Sequence, residues 1–170
     1  MNKQKGFTLV ELLVVIAIIA ILAGAVLLAI NPLAMMQKSR DATRLSDMDT
    51  IRNAINLALT ENELILTAGT SDSATGTRLV NGTGYVSFSI PVTVPPLPQK
   101  TGLARYIPVL PVDPTNSGNF VYTFQATATD FELNAVLEFA DNAVKMTADG
   151  GNDDTRYEVG SSLTVISPAL

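Results

Sequence analysis

A run of 19 apolar residues near the N-terminus, at positions 12–30, constrains the fold of this chain more than any other feature. As an α-helix the run would be about 28 Å long, close to the roughly 30 Å hydrocarbon core of a bilayer. A helix buried in a soluble protein is the alternative, but such helices seldom stay apolar on every face for five turns. Residues 7–30 are therefore predicted to span a membrane.

Basic residues set the predicted orientation of this helix. Lys3 and Lys5 precede the apolar run and no similar basic cluster directly follows it, which places the N-terminus in the cytoplasm. A secretory signal peptide is another interpretation, with Ala23-Gly24-Ala25 as the cleavage site and a binding protein released after Ala25. Because the run stays apolar from 26 to 30, a membrane anchor fits better than a signal peptide.

One acid, Glu11, stands near the start of the apolar segment. A carboxylate at mid-bilayer depth costs roughly 2.5–3.5 kcal/mol, so such residues usually have a partner and a function. A cut between Gly6 and Phe7 would create an α-amine four residues before Glu11, on the same helical face. The amine could pair with Glu11 within one chain or from a neighbouring chain. A pair between chains would compensate Glu11 only when helices associate, which makes this acid a predicted assembly device.

The residues around Glu11, Lys-Gln-Lys-Gly-Phe-Thr-Leu-Val-Glu at 3–11, resemble the class III leader of type IV pilins and pseudopilins. The resemblance implies that a prepilin peptidase cuts after Gly6 and N-methylates Phe7. It also implies that Thr8 and Glu11 serve assembly, with Glu11 neutralising the N-terminus of an adjacent subunit inside a helical filament.

The resemblance further implies a homopolymer, built with minor pilins by a pilus assembly platform and ATPase machinery. The precursor would cross the cytoplasmic membrane once, and the assembled form would be an extracellular pilus serving adhesion, twitching motility or DNA uptake. A pseudopilin of a type II secretion system is the alternative within the family. From a different class, the chain could be a single-pass anchored binding domain that keeps its leader and never polymerises.

A second, amphipathic helix is predicted from Leu33 to about Glu61. Its apolar positions recur at helical spacing and would pack on the rest of the protein: Leu45, Met48, Ile51, Ile55, Ala58 and Leu59. The charges between them are predicted to form a solvated face: Arg40, Asp41, Arg44, Asp47, Asp49 and Arg52.

Two residues mark predicted weak points of the helical stem, Gly24 and Pro32, where it could bend or locally unwind. The pair Asn31-Pro32 has two interpretations. It is either a helix N-cap followed by proline at the first helical position, or a kink within one long helix.

These segments divide the chain into a leader (1–6), a stem (7–60) and a globular head (61–170). We predict an α+β fold in which a small antiparallel sheet lies against the lower stem. A surface loop is expected at 61–84 and a turn at 113–118. One strand is expected within 85–94, and two more, 120–126 and 131–139, are expected to form a hairpin joined through 127–130. A further strand is expected to begin at Val144 and Met146, and a last short one to lie at 157–159.

The head has no cysteine, so something other than a disulfide must hold its C-terminal region. Oxygen-bearing side chains on a glycine-containing loop suit a hard cation such as calcium: Asp149, Asn152, Asp153 and Asp154. The spacing is not that of an EF-hand, and a solvated acidic turn is the alternative interpretation. The sequence therefore predicts that calcium binds this loop and holds the C-terminal region. Charge and flexibility alone do not make a coordination sphere.

The composition argues against several other functions. Without cysteine or histidine the chain has no thiolate or imidazole metal site and no histidine-based triad. It has neither a phosphate-binding Gly-Lys motif nor a dinucleotide fingerprint, and we expect no enzymatic activity. The head carries five basic and twelve acidic residues, a balance of −7. This charge argues against direct nucleic-acid binding.

Overall fold

The computed structural model of the chain describes residues 6–95 and 97–168, without the side chains of 27–29. It consists of two compact units, Met1–Gln37 and Lys38–Leu170. Each unit is described by itself. The orientation prediction that depends on Lys3 and Lys5 falls on residues outside the described part.

The first unit contains helix α1 (Leu9–Ile30), whose apolar side chains are exposed, and the start of helix α2 (Pro32–Thr60). By length and composition, Leu9–Val26 is able to cross a bilayer. Asn31 interrupts the two helices with a left-handed φ of 44°, and its Oδ1 accepts a hydrogen bond from the Ala34 N–H at 3.3 Å. The N-cap interpretation is thereby confirmed, with Pro32 as the first residue of α2.

The second unit is built on the rest of α2. Met48, Ile51, Ile55 and Ala58 are fully buried along one face of this helix, as their spacing predicts. They join the apolar side of a sheet in one core that includes Tyr85, Leu103, Leu110, Tyr122, Phe124, Phe131 and Leu133. The predicted α+β fold is confirmed.

The main sheet has four antiparallel strands in the order β2-β4-β5-β6. Their bounds are β2 Gly69–Asp72, β4 Thr123–Ala126, β5 Phe131–Ala135 and β6 Tyr157–Gly160. The β4–β5 pair is the predicted hairpin, although its strands are shorter than the predicted 120–126 and 131–139. Phe124 lies opposite Leu133, and the connection is closed by Thr127 N–H to Asp130 O at 2.8 Å. A separate two-stranded ladder joins β1 (Ile65–Leu66) to β3 (Phe88–Ser89).

Three secondary-structure predictions are wrong in part. The segment 61–84, predicted as a loop, contains strands β1 and β2, because the apolar pair Ile65–Leu66 joins β3 and the small residues of Gly69–Asp72 join β4 through the backbone. The predicted strand within 85–94 is reduced to β3. Val144 and Met146 lie in a short helix α3 (Ala143–Thr147), since alternation over so few residues fits a helical turn equally well.

The predicted solvated face of α2 is also wrong at two residues, because Arg44 and Asp41 are fully buried. The Arg44 guanidinium donates to the Asp113 carboxylate at 2.6 and 2.9 Å and to Asp41 at 2.9 Å. The guanidinium also pairs with the Glu138 carboxylate at 2.6 Å, and its Cζ atom lies 5.0 Å from the Phe120 ring centroid. We call this group the Arg44 network.

The carboxylates of the Arg44 network also accept hydrogen bonds from outside it. Asp41 accepts from the backbone N–H groups of Glu138 and Phe139 at 2.9 Å each, and from Asn142 Nδ2 at 2.8 Å. Hydrogen bonds from Arg40 and Arg44 lower the pKa of Glu138 to about 2, although burial opposes the shift. Each carboxylate therefore has an arginine partner, which a buried ion network requires.

Candidate functional site

The predicted cleavage bond lies in an exposed segment before the first helix. Gly6, Phe7 and Thr8 precede α1, and the Phe7 side chain is 87% exposed. A Cβ at Gly6 would meet no atom of the described residues within 4 Å. The bond between Gly6 and Phe7 is thus accessible within this chain.

Thr8 and Glu11 form a capping box at the start of α1. Thr8 is the N-cap, and its Oγ1 accepts a hydrogen bond from the Glu11 N–H at 3.2 Å. Glu11 Oε2 accepts in return from the Thr8 N–H and the Thr8 hydroxyl, both at 2.8 Å. This reciprocal pair satisfies donors that a helix N-terminus leaves free. The assembly roles predicted for both residues stay predictions.

The stem helix begins two residues later than predicted, and this changes the argument about Phe7. Because α1 starts at Leu9, Phe7 lies before the N-cap and not on a helical face with Glu11 in the uncleaved chain. Glu11 forms no ion pair with residues 6–95 or 97–168. Its partners within the described chain are the hydrogen-bonding groups of Thr8.

Beyond Glu11, α1 exposes large apolar side chains on every face. They include Leu12, Leu13, Val14, Val15, Ile16, Ile18, Ile19, Ile21, Leu22, Val26 and Ile30. A soluble monomer seldom exposes a continuous apolar surface of this size. The helix therefore needs lipid or other protein chains around it.

The predicted weak points of the stem have different surroundings. Gly24 lies inside the continuous helix α1, and among the described side chains a Cβ at this position would meet no atom within 4 Å. Pro32 begins α2, directly after the left-handed Asn31. Local unwinding at either residue in a filament stays a prediction.

The acidic loop uses two of its carboxylates for local hydrogen bonds. Asp149 accepts from the Gly151 N–H at 2.9 Å and from the Glu158 N–H at 2.8 Å. Asp153 accepts from the Thr155 N–H at 2.9 Å and from the Thr155 hydroxyl at 2.5 Å. These contacts order the loop through the protein's own donors.

The same carboxylates bear on the calcium prediction. Within residues 6–95 and 97–168, no three Asp, Glu, His or Cys side chains gather closely enough to hold a metal ion. The predicted ligands Asp149, Asn152, Asp153 and Asp154 therefore lack a coordination sphere in this arrangement. Calcium stays a prediction, tested by adding a chelator: a lower melting temperature of the head supports it, and an unchanged one retires it.

The N-terminal segment matches a known family model. Residues 1–27 match the model described as the prokaryotic N-terminal methylation motif. This range includes the cleavage bond, the capping box and most of α1.

A longer similarity extends into the head. The chain is 31% identical over 113 residues to the type II secretion system core protein G of Escherichia coli (strain K12). The aligned part covers 66% of this chain and 68% of that protein. The chain belongs to the type IV pilin and pseudopilin family. No solved structure matches it.

In this cysteine-free member of the pilin and pseudopilin family, a buried carboxylate holds the C-terminal region. Glu132 on β5 is fully buried, and its Oε2 accepts from the Val165 and Ile166 N–H groups at 2.8 Å each. Gln125 Nε2 donates to the Val165 carbonyl at 2.9 Å, and Ser161 Oγ accepts from the Phe131 N–H at 2.9 Å. These bonds fasten the C-terminal segment to the sheet.

Sequence reasoning missed two of these features for different reasons. The capping box had a signal, because Thr8-Leu9-Val10-Glu11 has the T-x-x-E spacing of such boxes. The fastening by Glu132 had none, since an acid alternating with apolar residues in a strand is typical of a solvent-facing position.

Proposed function

We propose that this chain is cut after Gly6, N-methylated on Phe7 and polymerised into a helical filament. The observation that carries the proposal is the combination of an accessible Gly6–Phe7 bond with an exposed apolar helix containing one acid. The family is one of structural subunits, which agrees with this role. The partners of the chain are then a prepilin peptidase and further copies of itself.

The physical argument for polymerisation concerns Glu11 and the surface around it. Thr8 supplies hydrogen bonds to the carboxylate but no positive charge. After cleavage, the α-amine of Phe7 in a neighbouring copy would supply that charge at the start of its own helix. Packing copies side by side would also cover the apolar faces of α1, and removing apolar surface from water is favourable. One arrangement therefore satisfies both the charge and the apolar surface.

Two filaments are compatible with this chemistry. The first is a type IV pilus on the cell surface, serving adhesion, motility or DNA uptake. The second is the filament of a type II secretion system, and the 31% identity to core protein G of such a system favours it. The acidic head makes direct DNA binding by this subunit the least supported use.

The experiment that tests the proposal is shearing of cells that express the chain, followed by sedimentation and electron microscopy. Filaments that contain the chain would support polymerisation. A chain found only in the membrane fraction would contradict it and would agree with the alternative, an anchored binding domain. Long filaments on intact cells indicate a pilus. Loss of protein secretion on deletion of the chain, without long surface filaments, indicates the secretion role.

A further inference from the structure

One asparagine in the head stands in the pattern that N-glycosylation requires. The pattern is Asn-x-Ser or Asn-x-Thr, with any middle residue except proline, and Asn81-Gly82-Thr83 matches it. Asn81 is the one asparagine of this sequence that has a serine or threonine two positions later. Because so short a pattern also arises by chance, its surroundings in the fold decide whether it can be used.

The fold presents this tripeptide at the surface. Asn81 and Thr83 are both exposed, in the segment between strands β2 and β3. The Thr83 carbonyl accepts a hydrogen bond from the Thr77 hydroxyl at 3.1 Å, and the Gly82 carbonyl accepts one from the Phe88 N–H at 3.4 Å. The tripeptide is therefore accessible to an enzyme and is held in place by its own chain.

The side-chain amide of Asn81 is oriented by Thr83. Asn81 Oδ1 accepts from the Thr83 N–H at 3.2 Å and from the Thr83 hydroxyl at 2.8 Å. Because a backbone N–H can only donate, the amide atom that faces Thr83 is the oxygen and not the nitrogen. The Nδ2 atom is directed away from Thr83, and it donates to no group of residues 6–95 or 97–168.

Turn formation by itself explains two of the three residues. Asparagine and glycine are common in tight turns, and Gly82 has a φ of 92° at which a Cβ would collide with the Phe88 carbonyl oxygen. The Thr83 side chain has no such role, because the backbone N–H of residue 83 is enough to close the turn. Its exposed hydroxyl serves only the Asn81 amide.

We propose that Asn81 is an N-glycosylation site whose substrate is a sugar carried on a diphosphate ester. The Asn81 Nδ2 atom attacks the anomeric carbon of the sugar, and a C–N bond forms as the C–O bond to the diphosphate breaks. The diphosphate leaves with the electron pair of that bond, and one Nδ2 proton passes to a base of the transferase. The chain is the acceptor in this reaction and supplies no catalytic group.

The test is peptide mass spectrometry of the full chain isolated from its own cells. Trypsin cuts after Arg78 and Lys100, and it therefore releases residues 79–100, a peptide in which Asn81 is the one asparagine. We expect this peptide to be heavier than its sequence by the mass of one or more sugar units, with fragmentation placing that mass on Asn81. An unmodified peptide would overturn the inference, and so would a sugar carried by a serine or threonine of the same peptide.

Substitutions separate the effect of the tripeptide from that of its surroundings. Asn81→Gln should abolish the modification and Thr83→Val should lower it at least tenfold, whereas Thr83→Ser keeps the hydroxyl and should stay modified. Asn119→Gln changes an exposed asparagine outside the pattern and is the matched control. Thermal unfolding of each variant in detergent shows that the head still folds. Wild-type modification of Thr83→Val would overturn the inference.

Pulse labelling distinguishes two donors that share this chemistry. Modification of chains before membrane insertion indicates a nucleotide-linked sugar, and modification only after insertion indicates a lipid-linked one. The inference is independent of the proposed filament. Filaments built from unmodified chains would overturn the glycosylation site and leave the filament intact, whereas modified chains that never sediment would contradict the filament alone.

Discussion

Glu11 and Arg44 are charged residues on successive helices, and their surroundings differ in one respect. Arg44 is enclosed by three carboxylates and an aromatic ring within its own chain. Glu11 has two hydrogen bonds from Thr8, and no positive charge reaches it from the part of the chain that the structure describes. One charge is satisfied by folding, whereas the other still needs a partner.

This difference separates what the two helices do. A charge that is neutralised within one chain stabilises the fold of that chain, so its loss should be measurable in an isolated copy. A charge that lacks its partner should matter only when a second copy is present. Substitutions at the two sites are therefore expected to affect stability and assembly separately.

The largest effect is expected for Arg44→Met. The substitution leaves Asp41 and Asp113 as buried carboxylates without their cation, whereas Glu138 keeps Arg40, and the loss costs about 3–5 kcal/mol of unfolding free energy. The measurement is thermal or denaturant unfolding of the full chain in detergent. Arg52→Met, which breaks a partly exposed pair with Asp49, serves as the control and should cost less than about 1 kcal/mol. Equal losses of unfolding free energy from both variants would mean that the buried Arg44 network stabilises the fold no more than a partly exposed ion pair does.

The next largest effect is expected for Glu11→Ala, and it should change assembly instead of stability. Membrane insertion and the unfolding of the head should not change, because the hydrogen bonds of the Glu11 side chain are made to Thr8 within the first unit. The yield of sedimentable polymer should fall about tenfold, equivalent to about 1.4 kcal/mol. Glu61→Ala removes one exposed acid from the head and is the matched control. Normal polymer yield from Glu11→Ala would count against the pairing argument.

A smaller effect is expected for Thr8→Val, which keeps the shape of the side chain but removes its hydroxyl. Loss of an N-cap typically costs about 1 kcal/mol, so polymer yield should fall by no more than about fivefold. The Glu11 carboxylate stays available for a neighbouring amine, which explains why the effect is smaller than that of Glu11→Ala. A loss as large as that of Glu11→Ala would show that Thr8 takes part in assembly by itself.

A separate effect concerns pH and another buried acid, Glu158 on β6. Burial and the adjacent Glu132 carboxyl raise the pKa of Glu158 from 4.5 to about 7, whereas arginines lower that of Glu138 to about 2. The folded chain therefore keeps the Glu158 proton after the unfolded chain has lost it. Its stabilising contribution is complete below pH 4.5 and is lost as the pH rises to about 7. Glu138 contributes in the opposite direction, and its stabilisation is lost as the pH falls from 4.5 towards 2.

Melting temperatures of the wild type and Glu158→Gln across this range provide the measurement. The variant cannot titrate at this position, so its profile between pH 4.5 and 7 should be flatter than that of the wild type. Identical slopes would mean that the Glu158 proton makes no contribution.

The comparison also explains how much the sequence could predict. Local pattern sufficed for α1, for the buried face of α2 and for the β4–β5 hairpin, because each repeats a simple spacing within a short segment. The burial of Arg44 could not be predicted in this way. Its partner Asp113 is 69 residues away, and alternating charges at helical spacing are typical of a solvated face.

The same distinction, between contacts local in sequence and contacts made only by folding, applies to the predicted functional site. The leader, Glu11 and the membrane span could be recognised from residues that are close in sequence. The fastening of the C-terminal segment by Glu132 depends on which face of the sheet that segment covers, which only the folded chain determines.

The most direct test of the central claim is the N-terminus of the sedimented protein, determined by intact-mass and peptide mass spectrometry after shearing. The proposed filament subunit predicts a polymer whose chains begin at N-methylated Phe7. Membrane-bound protein that still begins at Met1, or a soluble form that begins at Val26, would contradict cleavage and assembly, and Glu11 would then have no partner.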